Sequence, residues 1–402
     1  MKISALGVRR GVLAALPVIL SLLVSTVLAQ EDRIAAKVDE NRRTILKGNV
    51  NPKAQPQFDQ GPVDPLLKLD LVTLAFRPSP QQQASLEQLL MEQQDRSSSN
   101  YHHWLTPEQY ADRFGLSLGD IGKVRLWLES QGFTVSYVGR GRNWLTFSGA
   151  APQVAKAFHT EIHRYAVDGE IHFANAAEPS IPAAFEPIVL GILGLDDFLP
   201  RPPQARFRGE SKQGPSRPAF TTSNGGHVLV PDDVGTIYDI ARLYQAGIDG
   251  SGQRVVVAGQ SDISLADIAT FRSGILPVNV PQVLLVPGSS DPGITENEFE
   301  ADLDLEWVGA VARNATVIYV NSTDVLASAA YAISENLAPI ISYSFGGCEQ
   351  NSTTTLALQL RAAARQANLQ GISLISASGD SGAAGCDKAF AGSQATQGIG
   401  VL

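Results

Sequence analysis

Ala315-Thr316-Val317-Ile318-Tyr319-Val320, then Val325–Glu335, then Pro339-Ile340-Ile341-Ser342-Tyr343-Ser344-Phe345: two apolar runs flank a stretch whose apolar residues recur at helical spacing. The runs are rich in β-branched and aromatic side chains and scarcely alternate with polar ones, as strands buried on both faces require. The order repeats on either side. Strands are predicted at Arg254–Ala258, Gln282–Val286, Ala315–Val320, Pro339–Phe345 and Ile372–Ser376. Helices are predicted between them at Leu265–Ser273, Glu298–Ala312, Val325–Glu335 and Thr353–Ala367. Strict alternation of this kind implies an α/β architecture, a parallel sheet with helices on both faces. Ligands of such sheets lie beyond the carboxyl ends of the strands, so the loops after Val320, Ser344 and Ser376 are the first places to look for a site.

The whole chain has 402 residues, 44% hydrophobic and 18% charged, a globular composition with room for two or three domains. A net charge of −9 argues against nucleic acid as a partner. The charge is uneven. Residues 1–225 carry 24 basic and 22 acidic side chains, whereas residues 226–402 carry 7 and 18. Five of the six histidines, His102, His103, His159, His163 and His172, lie in the first part, and His227 sits at the border. Two unlike pieces are joined, and the acidic one has almost no imidazole.

Residues 1–29 run from Lys2, Arg9 and Arg10 through an apolar stretch to Val27-Leu28-Ala29, the pattern of a secretory signal peptide cleaved after Ala29. The alternative is an uncleaved anchor, since the run is just long enough to span a bilayer; Pro17 and the small exit residue favour cleavage, hence a secreted chain with no membrane contact afterwards. Residues 30–65 read as an extended polar leader that buries little. Residues 66–198 carry short mixed elements. These are a strand at Leu69–Phe76, helices at Pro80–Gln94, from Thr106 and around Asp120–Gln131, then strands at Phe133–Val138 and Trp144–Ser148. A helix at Pro152–Phe158, strands at Glu161–Ala166 and Glu170–Ala174 and a last helix near Pro182–Gly194 follow, together an α+β sandwich. Thr106 with Gln109 is a capping box. Residues 199–228, rich in Pro, Arg and Gly, read as an exposed linker open to proteolysis, and residues 229–402 hold the alternating half.

Two places in that half carry chemistry. On the helix at 298–312, Glu300 and Asp304 stand one turn apart on one face, beside an apolar stripe of Leu303, Trp307 and Ala310. Close carboxyls share a proton and raise one pKa, which suits general acid–base work at low pH. The competing reading is a solvated acidic face at a helix N-terminus. The second place is Ser378-Gly379-Asp380-Ser381-Gly382, where a Gly-rich turn after a buried strand exposes Asp380 to a reacting oxygen. A tight turn with no further role is the alternative. Ser381 as a chymotrypsin-like nucleophile lacks a His base in its own domain and the all-β setting. Cys348 and Cys386 follow predicted strand ends and form either a disulfide or two buried thiols.

Glu300-Ala301-Asp302-Leu303-Asp304 resembles the Glu-x-x-Leu-Asp helix of the sedolisin family of serine-carboxyl peptidases. Ser344-Phe345-Gly346-Gly347 is similar to that family's substrate-lining strand end, and Ser378–Gly382 to its oxyanion loop. Tyr101–Tyr110, Trp127-Leu128 with Gly132-Phe133, and Phe147–Ala151 resemble the pro-kumamolisin activation prodomain. The resemblance implies a subtilisin-like sheet, incomplete here, preceded by a ferredoxin-like prodomain that binds its own catalytic domain. It also implies a peptide or protein substrate. By motif, Glu300 is the general base, Asp304 its support, Asp380 the oxyanion donor, and Ser344, Phe345 and Gly346 line the substrate.

One departure matters. The family's nucleophile lies in Gly-Thr-Ser, followed by an aspartate-rich calcium site, and these 402 residues contain no Gly-Thr-Ser. The sequence therefore reads as a C-terminally truncated zymogen of a secreted acid endopeptidase, inactive as written, with calcium expected only in the full-length protein. A non-catalytic binding or chaperone product that keeps the prodomain is the alternative.

Overall fold

The computed structural model describes residues 30–202, 220–221, 227–273, 280–379 and 386. The predicted signal segment lies outside them, as do Asp380 and most of the linker. No helix among the described residues is long and apolar enough to cross a membrane.

The first domain is built from β1 (Lys68–Phe76), α1 (Pro80–Glu92), α2 (Pro107–Phe114), α3 (Leu118–Ser130), β2 (Thr134–Val138), β3 (Trp144–Ala150), α4 (Ala151–Phe158), β4 (Ile162–Val167), β5 (Glu170–Asn175) and β6 (Val189–Leu193). Strands β2-β3-β1-β6 form one sheet with every neighbour antiparallel, the βαββαβ ferredoxin-like arrangement. Helix starts are set locally: Ser79 and Thr106 each close a capping box with the Gln three residues on, and Pro80 and Pro107 occupy the first turn. Trp127, Phe133, Phe147, Phe158 and Phe185 then stack into one core, ring centroids 4.9–5.8 Å apart.

Two expectations fail here. The helix predicted near Pro182–Gly194 is a short 3₁₀ turn, Ala183–Phe185, followed by strand β6. Its Val-Leu-Gly-Ile-Leu sequence suits either element, and pairing with β1 decides it. Gly191 lets that strand lie flat against the other half, where a Cβ would fall 2.4 Å from Thr355 Cγ2. The leader 30–65 is also no loose arm. Ile34 and Leu46 are buried in the main core, Arg43–Ile45 pairs with Ser180–Pro182, and Asp59–Pro62 joins β4. The Asp120 carboxylate fixes its start by accepting from the N–H groups of Arg33 and Ile34 at 2.6 and 3.0 Å.

The second half begins with α5 (Pro231–Ile237) and α6 (Ala241–Gln245). Then β7 (Arg254–Gly259), α7 (Leu265–Arg272), β8 (Gln282–Leu285), α8 (Glu298–Val311), β9 (Thr316–Asn321), α9 (Val325–Glu335), β10 (Ile340–Tyr343), α10 (Thr354–Leu369) and β11 (Ser373–Ser376) alternate as predicted. The sheet order is β8-β9-β7-β10-β11, all parallel. Neighbouring residues of one strand face opposite layers: Val256 packs with Ala332, Ile333 and Ala367 of α9 and α10, Val257 with Ile268, Ala301 and Leu305 of α7 and α8.

The first domain sits on the α9–α10 layer. Leu71, at a register shift in β1 and with φ of +54°, leaves its own sheet and enters the core of the second half beside Val256, Ile318 and Ile341. Leu369 makes the reverse insertion, fully buried among Leu86, Leu89, Tyr110 and Phe114. Its carbonyl accepts from Leu105 N at 2.8 Å and Gln93 Nε2 at 3.2 Å. Polar pins surround these anchors: Thr355 N to Gly48 O at 3.1 Å, Asn143 Nδ2 to Gln366 Oε1 at 2.9 Å, and Arg140 N to Ser334 Oγ at 2.8 Å.

Candidate active site

The carboxyl ends of β7, β9 and β10 meet at one edge of the sheet, and α8 runs beneath them. The buried stripe of α8 is Ala301, Leu305 and Ala310, with Val308 partly covered. Leu303 and Trp307, expected in the stripe, are only half-buried. That rotation puts Asp304 under the end of β10, where Ser344 Oγ donates to its Oδ1 at 2.8 Å. Its other oxygen, Oδ2, is buried without a partner, and burial pushes the Asp304 carboxyl up to about 6 despite the Ser344 hydrogen bond. Glu300, one turn earlier, is half-buried. The structure thus joins Asp304 to Ser344, with Glu300 one helical turn before Asp304 on α8.

The rest of the expected set divides. Gly346 lies in the site and pairs through its backbone. Phe345 does not line it: at 1% exposure it is packed with Tyr343, Ala258, Val325 and Ala329, because alternation along the strand end turns it into the core. Cys348 and Cys386 form a disulfide beside this strand end. Asp380 lies outside the described residues.

Other contributors had no sequence signal. Arg201, at the start of the linker, exchanges both backbone hydrogen bonds with Gly346 at 3.2 Å in an antiparallel bridge. Gln260, 5% exposed after β7, donates to Pro200 O at 2.9 Å and accepts from Val325 N at 3.2 Å. Glu170 grips the Arg201 guanidinium, which holds the Glu170 carboxyl below the usual range. His172 contacts Asp197 at 3.1 Å and Glu170 at 3.4 Å. The start of the linker is therefore held beside Gly346 by a one-residue antiparallel bridge, backbone pairing of the kind that can also hold an extended peptide. Gly259 supports the edge by close approach: a Cβ there would meet Tyr319 Oη at 2.0 Å, while that hydroxyl donates to Ser261 O at 2.7 Å.

Acidity extends along α8. Burial, with Glu298 and Asp267 nearby, pushes Asp302 up to about 6, and burial with Asp302 and Asp267 pushes Glu306 up to about 7. Burial also raises Asp196 and Asp324, each to about 6. A carboxyl with a raised folded pKa binds its proton more tightly in the native state. Its stabilisation is complete below the unfolded value of 3.8 to 4.5 and is lost as pH climbs through 6 to 7. The chain should therefore melt highest near about pH 4.5 and lose on the order of a few kcal/mol by about pH 7.5, with Asp304→Asn flattening the slope. Thermal unfolding across that range checks this, and a profile rising toward neutrality contradicts it.

A parallel α/β sheet with a carboxylate-bearing helix at its carboxyl edge, covered by an α+β domain whose outgoing chain pairs with Gly346, defines a two-part protein. Residues 59–198 match the family described as the pro-kumamolisin activation domain. Kumamolisin from Bacillus sp. (strain MN-32) is 26% identical over 366 residues, covering 86% of this chain and 62% of its own length. Sedolisin from Pseudomonas sp. (strain 101) is 27% identical over 321 residues, covering 76% and 53%. A solved structure of Pseudomonas sedolisin, a serine-carboxyl proteinase complexed with two molecules of pseudo-iodotyrostatin, superposes with a TM-score of 0.32 at 23% identity, covering 39% of this chain and 46% of that one. Residues 59–198 thus carry the pro-kumamolisin activation domain, and the chain as a whole is similar to peptidases of the sedolisin type. It spans between half and two thirds of the length of these two relatives.

Proposed function

We propose that the gene encodes a secreted acid endopeptidase made as a zymogen, with peptide or protein as substrate. The observation that carries this reading is the buried Asp304 carboxyl held by Ser344 at the sheet edge, one helical turn after Glu300, with Arg201 paired to Gly346. In the reaction, the Glu300 carboxylate takes the proton of the nucleophilic serine as its Oγ bonds to the scissile carbonyl carbon. Asp304 supports Glu300, and Asp380, kept protonated, donates to the oxyanion. Glu300 then returns the proton to the leaving amine, and water releases the acyl group by the reverse sequence. The serine belongs to a Gly-Thr-Ser segment that these 402 residues do not contain.

Glu300 must be ionised to take the proton while Asp380 keeps its own, a combination that belongs to acid medium. The paired linker supports a blocked resting state in which the prodomain inhibits its own catalytic domain.

The experiment is expression of the gene from its start codon to its first stop, followed by exposure to about pH 4. Cleavage within residues 199–228, read by N-terminal sequencing, and hydrolysis of a denatured protein are expected. A product that stays intact and inert under these conditions instead favours the non-catalytic binding reading.

A further inference from the structure

An acidic chain gathers four arginines around one groove. Arg33 and Arg77 of the prodomain face Arg361 and Arg365 of α10 across an opening of about 860 Å³, with Glu186 the one carboxylate in its described lining.

The partners of these guanidiniums are mostly neutral. Arg33 donates through Nη1 to Arg77 O at 2.7 Å and through Nη2 to Pro187 O, and Arg77 donates through Nε to Val189 O at 2.8 Å. Carbonyls fix the position of a charge without cancelling it. Asp120 attracts Arg33, but its oxygens already accept two backbone N–H groups and lie 3.6 Å from Lys123. Arg365 pairs with Glu87 at 2.7 Å. Arg361, one turn earlier on the same face, is exposed and makes no direct ion pair among the described residues, although it shares the attraction of Glu87 with Arg365.

Like charges one turn apart repel, and so do Arg33 and Arg77, whose mutual effect adds to burial in lowering the Arg33 pKa. Each guanidinium carries five N–H donors, of which only part is used here. Planar forks with spare donors match phosphate and sulfate oxygens in bidentate geometry.

We propose that this groove is an anion site for a multivalent phosphate- or sulfate-bearing ligand, which bridges the prodomain to α10. One wall belongs to each domain, so the ligand binds while the domains are together and stabilises the joined form. Slower release of the prodomain follows from that, and this consequence alone rests on the zymogen reading.

The test is calorimetric titration of the full chain with sodium tripolyphosphate at low salt, against sodium chloride of matched ionic strength. Saturable binding is expected, weakened about tenfold in Arg361→Gln and tightened in Glu186→Gln. Opposite signs from two groove residues exclude a mere folding defect. No saturable heat, or an unchanged affinity in Arg361→Gln, overturns the site. A parallel arm with dextran sulfate separates the sources: tighter binding than tripolyphosphate identifies an extended polyanion, weaker binding a small one. Neither arm needs peptide hydrolysis, so loss of the peptidase reading leaves the affinity standing, and loss of the affinity leaves the peptidase reading intact.

Discussion

A Glu300→Gln variant of the complete gene product is expected to lose self-processing and peptide hydrolysis by about 10²- to 10⁴-fold, the usual contribution of a general base. Gln keeps the size and hydrogen-bonding reach of Glu but cannot take a proton. Folding should survive, because Glu300 stands on the half-buried flank of α8 and the packing of that helix comes from Ala301 and Leu305. Glu298→Gln is the control. It removes the same charge from the same helix, and its described influence is on Asp302, on a different flank from Asp304. Equal losses in the two variants would mean that helix charge, not proton transfer, is being read. Asp304→Asn should fall between them and move the acid limb of the rate profile, since Asp304 is a buried carboxyl with one oxygen held by Ser344 and one unpartnered.

The second large effect concerns the joint between the domains. Leu369→Ala should cost about 2–5 kcal/mol, the range for emptying a fully buried leucine site. The loss would fall on the prodomain, because Leu86, Leu89, Tyr110 and Phe114 form the pocket around that side chain. Hydrogen exchange should show α1 and α2 losing protection while β7 and β9 keep theirs. The carbonyl of residue 369 still accepts from Leu105 and Gln93 in this variant, so the backbone stays aligned and the missing methyl groups are measured. Uniform loss of protection across both halves would show that Leu369 supports the whole fold instead of the joint.

The parallel half was legible because its central strands are near-continuous apolar runs separated by helical stretches, although the edge strands Gln282–Leu285 and Ser373–Ser376 are largely exposed. The Glu300–Asp304 spacing likewise places both groups on one side of α8 through helical periodicity alone. Rotation of that helix was not legible: Ala301 and Leu305 fill the core position that the larger Leu303 and Trp307 would be assigned by hydrophobicity, and of the expected stripe Ala310 is buried. The strand Val189–Leu193 carries no local mark that separates it from a helix, and its partner β1 lies more than a hundred residues earlier. In the leader, Ile34 and the pair Ile45-Leu46 are scattered apolar residues with no period, and only Ile34 and Leu46 are buried. The least legible contact is Arg201 with Gly346, because a backbone pair between distant segments leaves no side-chain signature.

Leu71 has a bearing on how freely the two domains can be exchanged between relatives. Its side chain, turned by a left-handed backbone angle, completes the hydrophobic core of a domain other than its own. A prodomain transplanted from another family member would bring a different residue to that gap, and the receiving sheet would be left with a void or a clash. The boundary at residue 198 is thus a boundary in the chain but not in the packing. Chimeras of these precursors should be matched at residue 71 together with Ile333, Ile341 and Ala367 before they are matched at the linker.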